Sequence, residues 1–301
     1  MAIAPPPQGP PAKWYMSQEA LRRMLDIPDL DMADMAFVDG KQHELPEPER
    51  VLAEQAVNTQ LFRNWIVSPS SAKLLLHWGS SPPTTVAGVS PLSVFCRTMA
   101  QALRARERFV SLVWFCGRHV GDEDDDDDDD GDEAWRRRPP GGRTMLASLI
   151  DQLLRQHVFD TSDLGRGDDV HLGALQAGQP AARAALLTWL VRRLPATTTV
   201  FCLVDGVALY EREEFEGEAL SALSALLRLT VDGAVAAAVK VLFASTPSSD
   251  VVRGAFERVR QEDLILEVAG LPLLSAAASE ERMARELGAG LGGMVVEELE
   301  D

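Results

Sequence analysis

No apolar run in the 301-residue chain approaches the roughly 18 residues that a membrane-crossing helix needs, so a helical span within it is excluded. The opening residues, MAIAPPPQGPPAKW, have neither a basic n-region nor an apolar h-region, and no secretory signal is expected. Cysteine is scarce. Cys96, Cys116 and Cys202 each sit inside an apolar stretch, which predicts buried free thiols in a reducing compartment, cytoplasmic or nuclear. The chain contains no HExxH, no CxxC pair and no GxSxG, and its histidines (His43, His77, His119, His157 and His171) are scattered. Cys116 and His119 have a ligand-like spacing, but a tetrahedral zinc site needs further ligands that no other cluster supplies. Nothing nominates a catalytic nucleophile.

Positive charge is also in short supply. The formal net charge is −17, and eleven of the acidic side chains fall between Asp122 and Glu133. The only dense basic cluster, Arg136-Arg137-Arg138, lies beside that acidic run and is expected to pair with it. An acidic body argues against nucleic acid as a partner, because non-specific binding depends on Lys and Arg neutralising phosphates. The run itself cannot bury anything and repels itself, which predicts a disordered surface insertion over residues 121–142. Asp126, Asp128, Asp130 and Gly131 match the start of an EF-hand loop, yet Arg137 stands where that loop needs glutamate.

What is present is a soluble-protein composition, 46% hydrophobic and 25% charged, and a regular alternation of elements. Residues 1–16 read as a Pro-rich tail. Residues 17–70 form a helical lead-in: a helix from Ser17, a loop through 27–47, and one amphipathic helix in PERVLAEQAVNTQLFRNWI. The apolar face of that helix would carry Val51, Leu52, Ala56, Leu61, Phe62 and Trp65. Residues 71–275 then alternate strands at 73–78, 109–115, 199–205, 240–245 and 264–268 with helices near 91–106, 143–157, 180–193, 217–230 and 248–260. Continuous apolar strands separated by helices predict an α/β fold, a three-layer parallel sheet of about five strands flanked by helices. A C-terminal helix and tail are expected over 276–301.

The segment LLLHWGSSPPTTVAGVSPLSVF, from Leu74 to Phe95, has the outline of a strand, a phosphate-binding loop and a helix, and it contains no lysine. In G-x-x-x-x-G-K-[ST] the backbone N–H groups wrap the phosphates, Lys reaches the β- and γ-phosphates, and the hydroxyl binds Mg²⁺. Here Gly79 follows the strand and Gly88-Val89-Ser90 opens the helix. Val89 stands at the lysine position, the glycines are eight residues apart rather than four, and Pro82 and Pro83 remove two backbone donors. A purely structural account also covers these residues: Ser90 as N-cap, Pro91 at the first helical position, Gly79 at the strand end.

In order and spacing the strand segments resemble the NTPase domain of NACHT and related STAND proteins, particularly the large fungal set. The matching stretches are LLLHWG…GVS, FVSLVWFCGRH, MLASLIDQLLRQ, TVFCLVDGVAL and KVLFASTP, with PERVLAEQAVNTQLFRNWIVSPSS as lead-in, covering roughly residues 47 to 270. The resemblance implies a P-loop NTPase-like fold and places nucleotide-binding positions at Gly79, Gly88, Ser90 and Asp205, with Mg²⁺ on Ser90 and Asp205. Three departures stand out: Val89 replaces the P-loop lysine, Ala208 the later acid of D-A-L-D-E, and Thr246 the arginine of T-S-R-P. Lost charged contacts of this kind cost phosphoryl transfer several powers of ten in rate. The expectation is therefore a non-catalytic domain with no cofactor, serving as a scaffold or interaction module for protein partners. Asp205 would then be a strand-end carboxylate capping a neighbouring element. The alternative is a divergent ATP or GTP binder in which Ser90 and Asp205 hold Mg-ATP with a lysine or arginine from elsewhere, Arg97, Arg118 and Arg143 being available. An unrelated doubly wound α/β enzyme, using the crevice at the strands' carboxyl ends, is a third reading.

Overall fold

The computed structural model describes residues 16–27, 29–79, 81–120, 141–165, 170–246, 251–257 and 264–273, together with Met283, Arg285 and Gly288. The poly-Asp run, the Arg136–Arg138 cluster and most of the expected C-terminal helix lie outside them.

Among the described residues four α-helices precede the first strand: α1 (Gln18–Leu25), α2 (Leu30–Lys41), α3 (Glu47–Glu54) and α4 (Gln60–Val67). Ser17 caps α1 by accepting the Ala20 N–H at 3.1 Å. Two expectations for this region are corrected. The stretch expected to be a loop holds α2, whose inward positions include Asp31 and Asp34, both buried. The single amphipathic helix is in fact two. The chain tightens into a 3-10 turn over Gln55–Asn58, Thr59 adopts extended backbone, and its hydroxyl caps α4 by accepting the Phe62 N–H at 3.2 Å.

The remainder runs β1 (Ala72–His77), α5 (Pro91–Arg104), β2 (Phe109–Phe115), α6 (Gly142–Gln156), α7 (Leu172–Gln176), α8 (Pro180–Val191), β3 (Thr199–Asp205), α9 (Glu213–Leu229), β4 (Ala238–Ser245), α10 (Val251–Glu257) and β5 (Ile265–Glu267). The five strands form one all-parallel sheet in the order β2-β3-β4-β1-β5. Every residue of β2 and β3 is buried, which is why both read as continuous apolar runs. Alternate side chains enter two cores. Val110, Leu112, Trp114, Val200, Cys202, Val204, Val241 and Phe243 pack with α1, α6, α8 and α9. Leu74, Leu76, Val113, Phe115, Phe201, Leu203, Leu242 and Ala244 pack with α2, α4 and α5. The helical lead-in thus covers the sheet as part of its layers. The three cysteines are free and buried. Among the described residues no helix is long and apolar enough to cross a membrane.

The strand order creates a switch point. From β1 the chain crosses to β2 at the far side of β4 and β3, whereas from β4 it crosses β1 to reach β5. Connections that diverge from neighbouring strands open a crevice at their carboxyl ends, where ligands of open α/β sheets bind. Gly79, two residues past β1 at the start of the loop that leads to α5, sits at that end.

Candidate functional site

The loop between β1 and α5 is built from strand-end bonds, a reversed turn and a capped helix. Trp78 donates its N–H to the Ser245 carbonyl at 3.1 Å and accepts from the Ala269 N–H at 2.9 Å, tying the start of the loop to β4 and to the chain just past β5. Gly79 has φ +119°, and a Cβ there would lie 3.1 Å from both the Ala269 Cβ and a Glu267 carboxylate oxygen. Only glycine meets both demands. Further along, Val86 and Val89 exchange both backbone hydrogen bonds at 2.9 Å. Between them Ala87 and Gly88 both have positive φ, 48° and 76°, a turn of the mirror-image kind. The backbone of Gly88 rests on that of Gly117, the residue two past the end of β2. A Cβ on Gly88 would fall 2.1 Å from the Gly117 carbonyl oxygen.

This turn sets the fate of Val89. Its side chain is fully buried in the core between the sheet and α5, and its N–H is spent on Val86. The next residue, Ser90, is also committed. It caps α5 by accepting the Ser93 N–H at 3.2 Å, while its own N–H donates to the Ser93 hydroxyl at 2.9 Å. This is a reciprocal capping box with serine at the third position, followed as expected by Pro91 at the first.

Asp205 arrives from the other side. It has the same parity on β3 as Phe201 and Leu203, so its carboxylate points to the α5 face. There Oδ2 accepts the Ser93 hydroxyl at 2.6 Å. Oδ1 is buried without a partner of good geometry. Burial pushes the Asp205 carboxyl up to about 7, against the pull of the Ser93 hydroxyl and the Gly206 N–H toward the charged form. The thiols of Cys96 and Cys116 are both raised, by burial first and by the nearby Asp205 charge second.

Ser90, Gly88 and Asp205 are therefore brought to one corner, where the amino end of α5 meets the ends of β2 and β3. Gly79 stands at the other end of the loop, beside β5. Ser93 links Ser90 to Asp205 and was not singled out by sequence; a serine three residues after a Ser-Pro helix start was its only signal. Gly117 was also missed, since its partner Gly88 is distant in the chain. Cys116 and His119 do not share a ligand. The imidazole Nε2 of His119 is 2.7 Å from Asp34 Oδ2, and its ring stacks on Trp114 at 4.0 Å. Each arginine named as a substitute cation has a partner: Arg97 with Asp39, Arg143 with Glu218 at 2.9 Å, and Arg118 over the Phe37 ring at 3.3 Å. No cluster of three or more His, Cys, Asp or Glu side chains suited to a metal occurs among the described residues.

For Mg-nucleotide the fit is partial. The Ser90 hydroxyl and the orphaned Asp205 Oδ1 are oxygens a Mg²⁺ ion could take. A phosphate, however, would find the Val89 N–H on Val86, the Ser90 N–H on Ser93, and an isopropyl group buried where an ammonium should reach out. As arranged, the corner can hold a proton on Asp205 near neutral pH. It presents no cradle of free N–H groups at Val89 and Ser90. Compared with known protein families, curated proteins and solved structures, the chain matches none.

Proposed function

We propose that this chain is a P-loop NTPase-like domain of the NACHT/STAND kind that does not turn over nucleotide and works as a scaffold or protein-interaction module. The observation that carries the reading is the internal engagement of the Val89–Ser90–Asp205 corner. Val89 is wholly buried, its N–H closes a turn on Val86, and the Asp205 carboxylate is met by the Ser93 hydroxyl at 2.6 Å. Phosphoryl transfer relies on positioned charge, and the groups at the lysine, second-acid and arginine positions are Val89, Ala208 and Thr246. With those charges absent, the parallel sheet and its helices serve as a rigid body that displays surfaces to other proteins.

A second reading rests on a specific feature: Asp205 Oδ1 is buried and unpartnered, as a carboxylate awaiting a cation would be. On that reading the chain is a divergent ATP or GTP binder with Mg²⁺ on Ser90 and Asp205. Isothermal titration and thermal-shift measurements with ATP, ADP and GTP, each with Mg²⁺, separate the two. The scaffold reading expects no saturable heat and no shift in Tm. Saturable micromolar binding that disappears in Asp205→Ala would establish the second reading instead.

A further inference from the structure

β2 ends the sheet, with β3 on one side and no further strand on the other among the described residues. Ser111 and Val113 turn their backbone N–H and C=O groups toward that outer side. An open edge of this kind is a template for any other strand. Here the place is taken by two side chains of α6, and the Arg104 guanidinium of α5 adds longer bonds to the Ser111 carbonyl at 3.3 and 3.4 Å. Gln156 accepts the Ser111 N–H and donates to the Ser111 carbonyl, both at 2.9 Å. Gln152 accepts the Val113 N–H and donates to the Val113 carbonyl, both at 2.8 Å. Each primary amide makes the pair of bonds that a peptide group of a neighbouring strand would make.

The match follows from two repeats. Residues four apart on a helix rise about 6 Å, and residues two apart on a strand about 6.6 Å. α6 lies antiparallel to β2, so the earlier glutamine meets the later strand residue. The spare capacity of the amides is filled as well. Gln152 donates to the Ser148 hydroxyl at 3.1 Å, Gln156 to the Gln152 carbonyl at 3.1 Å, and Arg104 reaches Gln152 Oε1 at 2.9 Å. Arg22–Asp151 at 2.8 Å and the Arg155–Asp31 pair hold α6 against the lead-in helices.

We infer that Gln152 and Gln156 act as a surrogate strand that closes the sheet at β2, and that they keep two copies of this chain from joining β2 to β2. The partner excluded is a second copy because the edge is complementary to itself. In an antiparallel pair with its two-fold axis at Leu112, Ser111 of one copy faces Val113 of the other, and all four outward groups find mates. The strand itself, FVSLVWF, is apolar, rich in β-formers and free of charge, Pro and Gly, a composition prone to self-pairing once uncovered.

The test uses the full chain and the double variant Gln152→Leu/Gln156→Leu, which keeps helix propensity and removes both amides. Site-resolved amide hydrogen exchange and sedimentation velocity are read together over a concentration series. In the wild type the Ser111 and Val113 amides are expected to be protected by at least about 100-fold, independently of concentration. In the double variant their protection falls by at least about tenfold in dilute solution and returns as a dimer forms on concentration. Two results would overturn the inference: wild-type amides that exchange as fast as those of an exposed loop, or a folded double variant that stays monomeric when concentrated with both amides open. Should the double variant fail to fold, Gln156→Leu alone is read at Ser111 by the same criteria, and a monomer with that amide open overturns the inference equally.

Discussion

Replacing Asp205 by asparagine is expected to stabilise the protein at pH 8 and to lose or reverse that advantage at pH 4. The buried carboxyl has its pKa raised from 3.8 to about 7. Between those values the folded state binds a proton that the unfolded state has released, so stability falls as pH rises through this window and levels off above it. The shift corresponds to roughly 4 kcal/mol as an upper bound, at about 1.4 kcal/mol per pH unit. Asparagine is neutral throughout, and its carbonyl oxygen can still accept from the Ser93 hydroxyl that now bonds Oδ2 at 2.6 Å. Its amide then occupies the place of the unpartnered Oδ1 and leaves a buried donor unsatisfied, a cost of about 1–3 kcal/mol. The net expectation is a gain of roughly 1–3 kcal/mol above neutral pH, shrinking or reversing in acid. Urea unfolding of both proteins at a series of pH values measures it, and taking the difference cancels the other carboxylates, which titrate alike in both. A wild-type-to-variant gap that does not change between pH 4 and pH 8 would refute the reasoning. So would an Asp205→Asn protein that is the weaker of the two at pH 8.

Two further substitutions probe the same core face. Val89→Lys restores the residue type of a phosphate-binding loop, but at a wholly buried position; it is expected to cost about 3 kcal/mol or more in chemical unfolding and to confer no ATP binding by titration. A folded variant that gains Mg-ATP affinity would show that the loop reopens. Lys240, fully buried on β4, donates Nζ to the Trp65 carbonyl at 2.9 Å, and burial lowers its pKa from 10.5 to about 8. Below that value its charge is carried at a cost of up to about 3 kcal/mol, and stability rises as pH climbs from 8 toward 10.5. Lys240→Met should therefore be the more stable protein at pH 7, and the gap should close at alkaline pH; equal pH profiles in thermal melts would contradict the burial argument.

The strands were legible because residues buried on both faces of a parallel sheet leave an uninterrupted apolar signature, as in TVFCLVD and FVSLVWF. α2 was not, because its inward positions carry charge. Asp31 is engaged by Arg104 at 2.7 Å and by Arg155, and Asp34 meets His119. A pattern reading takes aspartate for solvent or loop, and only the fold reveals the arginines and imidazole that make its burial tolerable. The same blindness hid Gln152 and Gln156. A glutamine on a helix reads as surface until a strand edge lies alongside it. At the candidate site, Gly88, Ser90 and Asp205 were found by their order along the chain. Ser93 and Gly117 were not, since each is defined by what it touches.

That difference bears on how the corner works. A helix amino end, a hydroxyl and a strand-end carboxylate converging at a switch point are ingredients for binding an anion and its metal. Whether they bind depends on whether their hydrogen-bonding capacity is left open, since a buried polar group without a ligand must find an internal partner or suffer desolvation. Here serine at position 93 supplies that partner twice over: its hydroxyl accepts from the Ser90 N–H and donates to Asp205. Val89 completes the closure by drawing the loop down onto the core, and Gly88 against Gly117 seals it backbone to backbone. One carboxylate oxygen remains without a hydrogen bond of good geometry, and burial pushes the Asp205 carboxyl up to about 7. A proton taken up near neutral pH relieves that charge within the fold itself, so the pH profile of Asp205→Asn reports how the corner carries its charge in the absence of a cation, and the titration with Mg-nucleotide decides whether it also takes Mg²⁺.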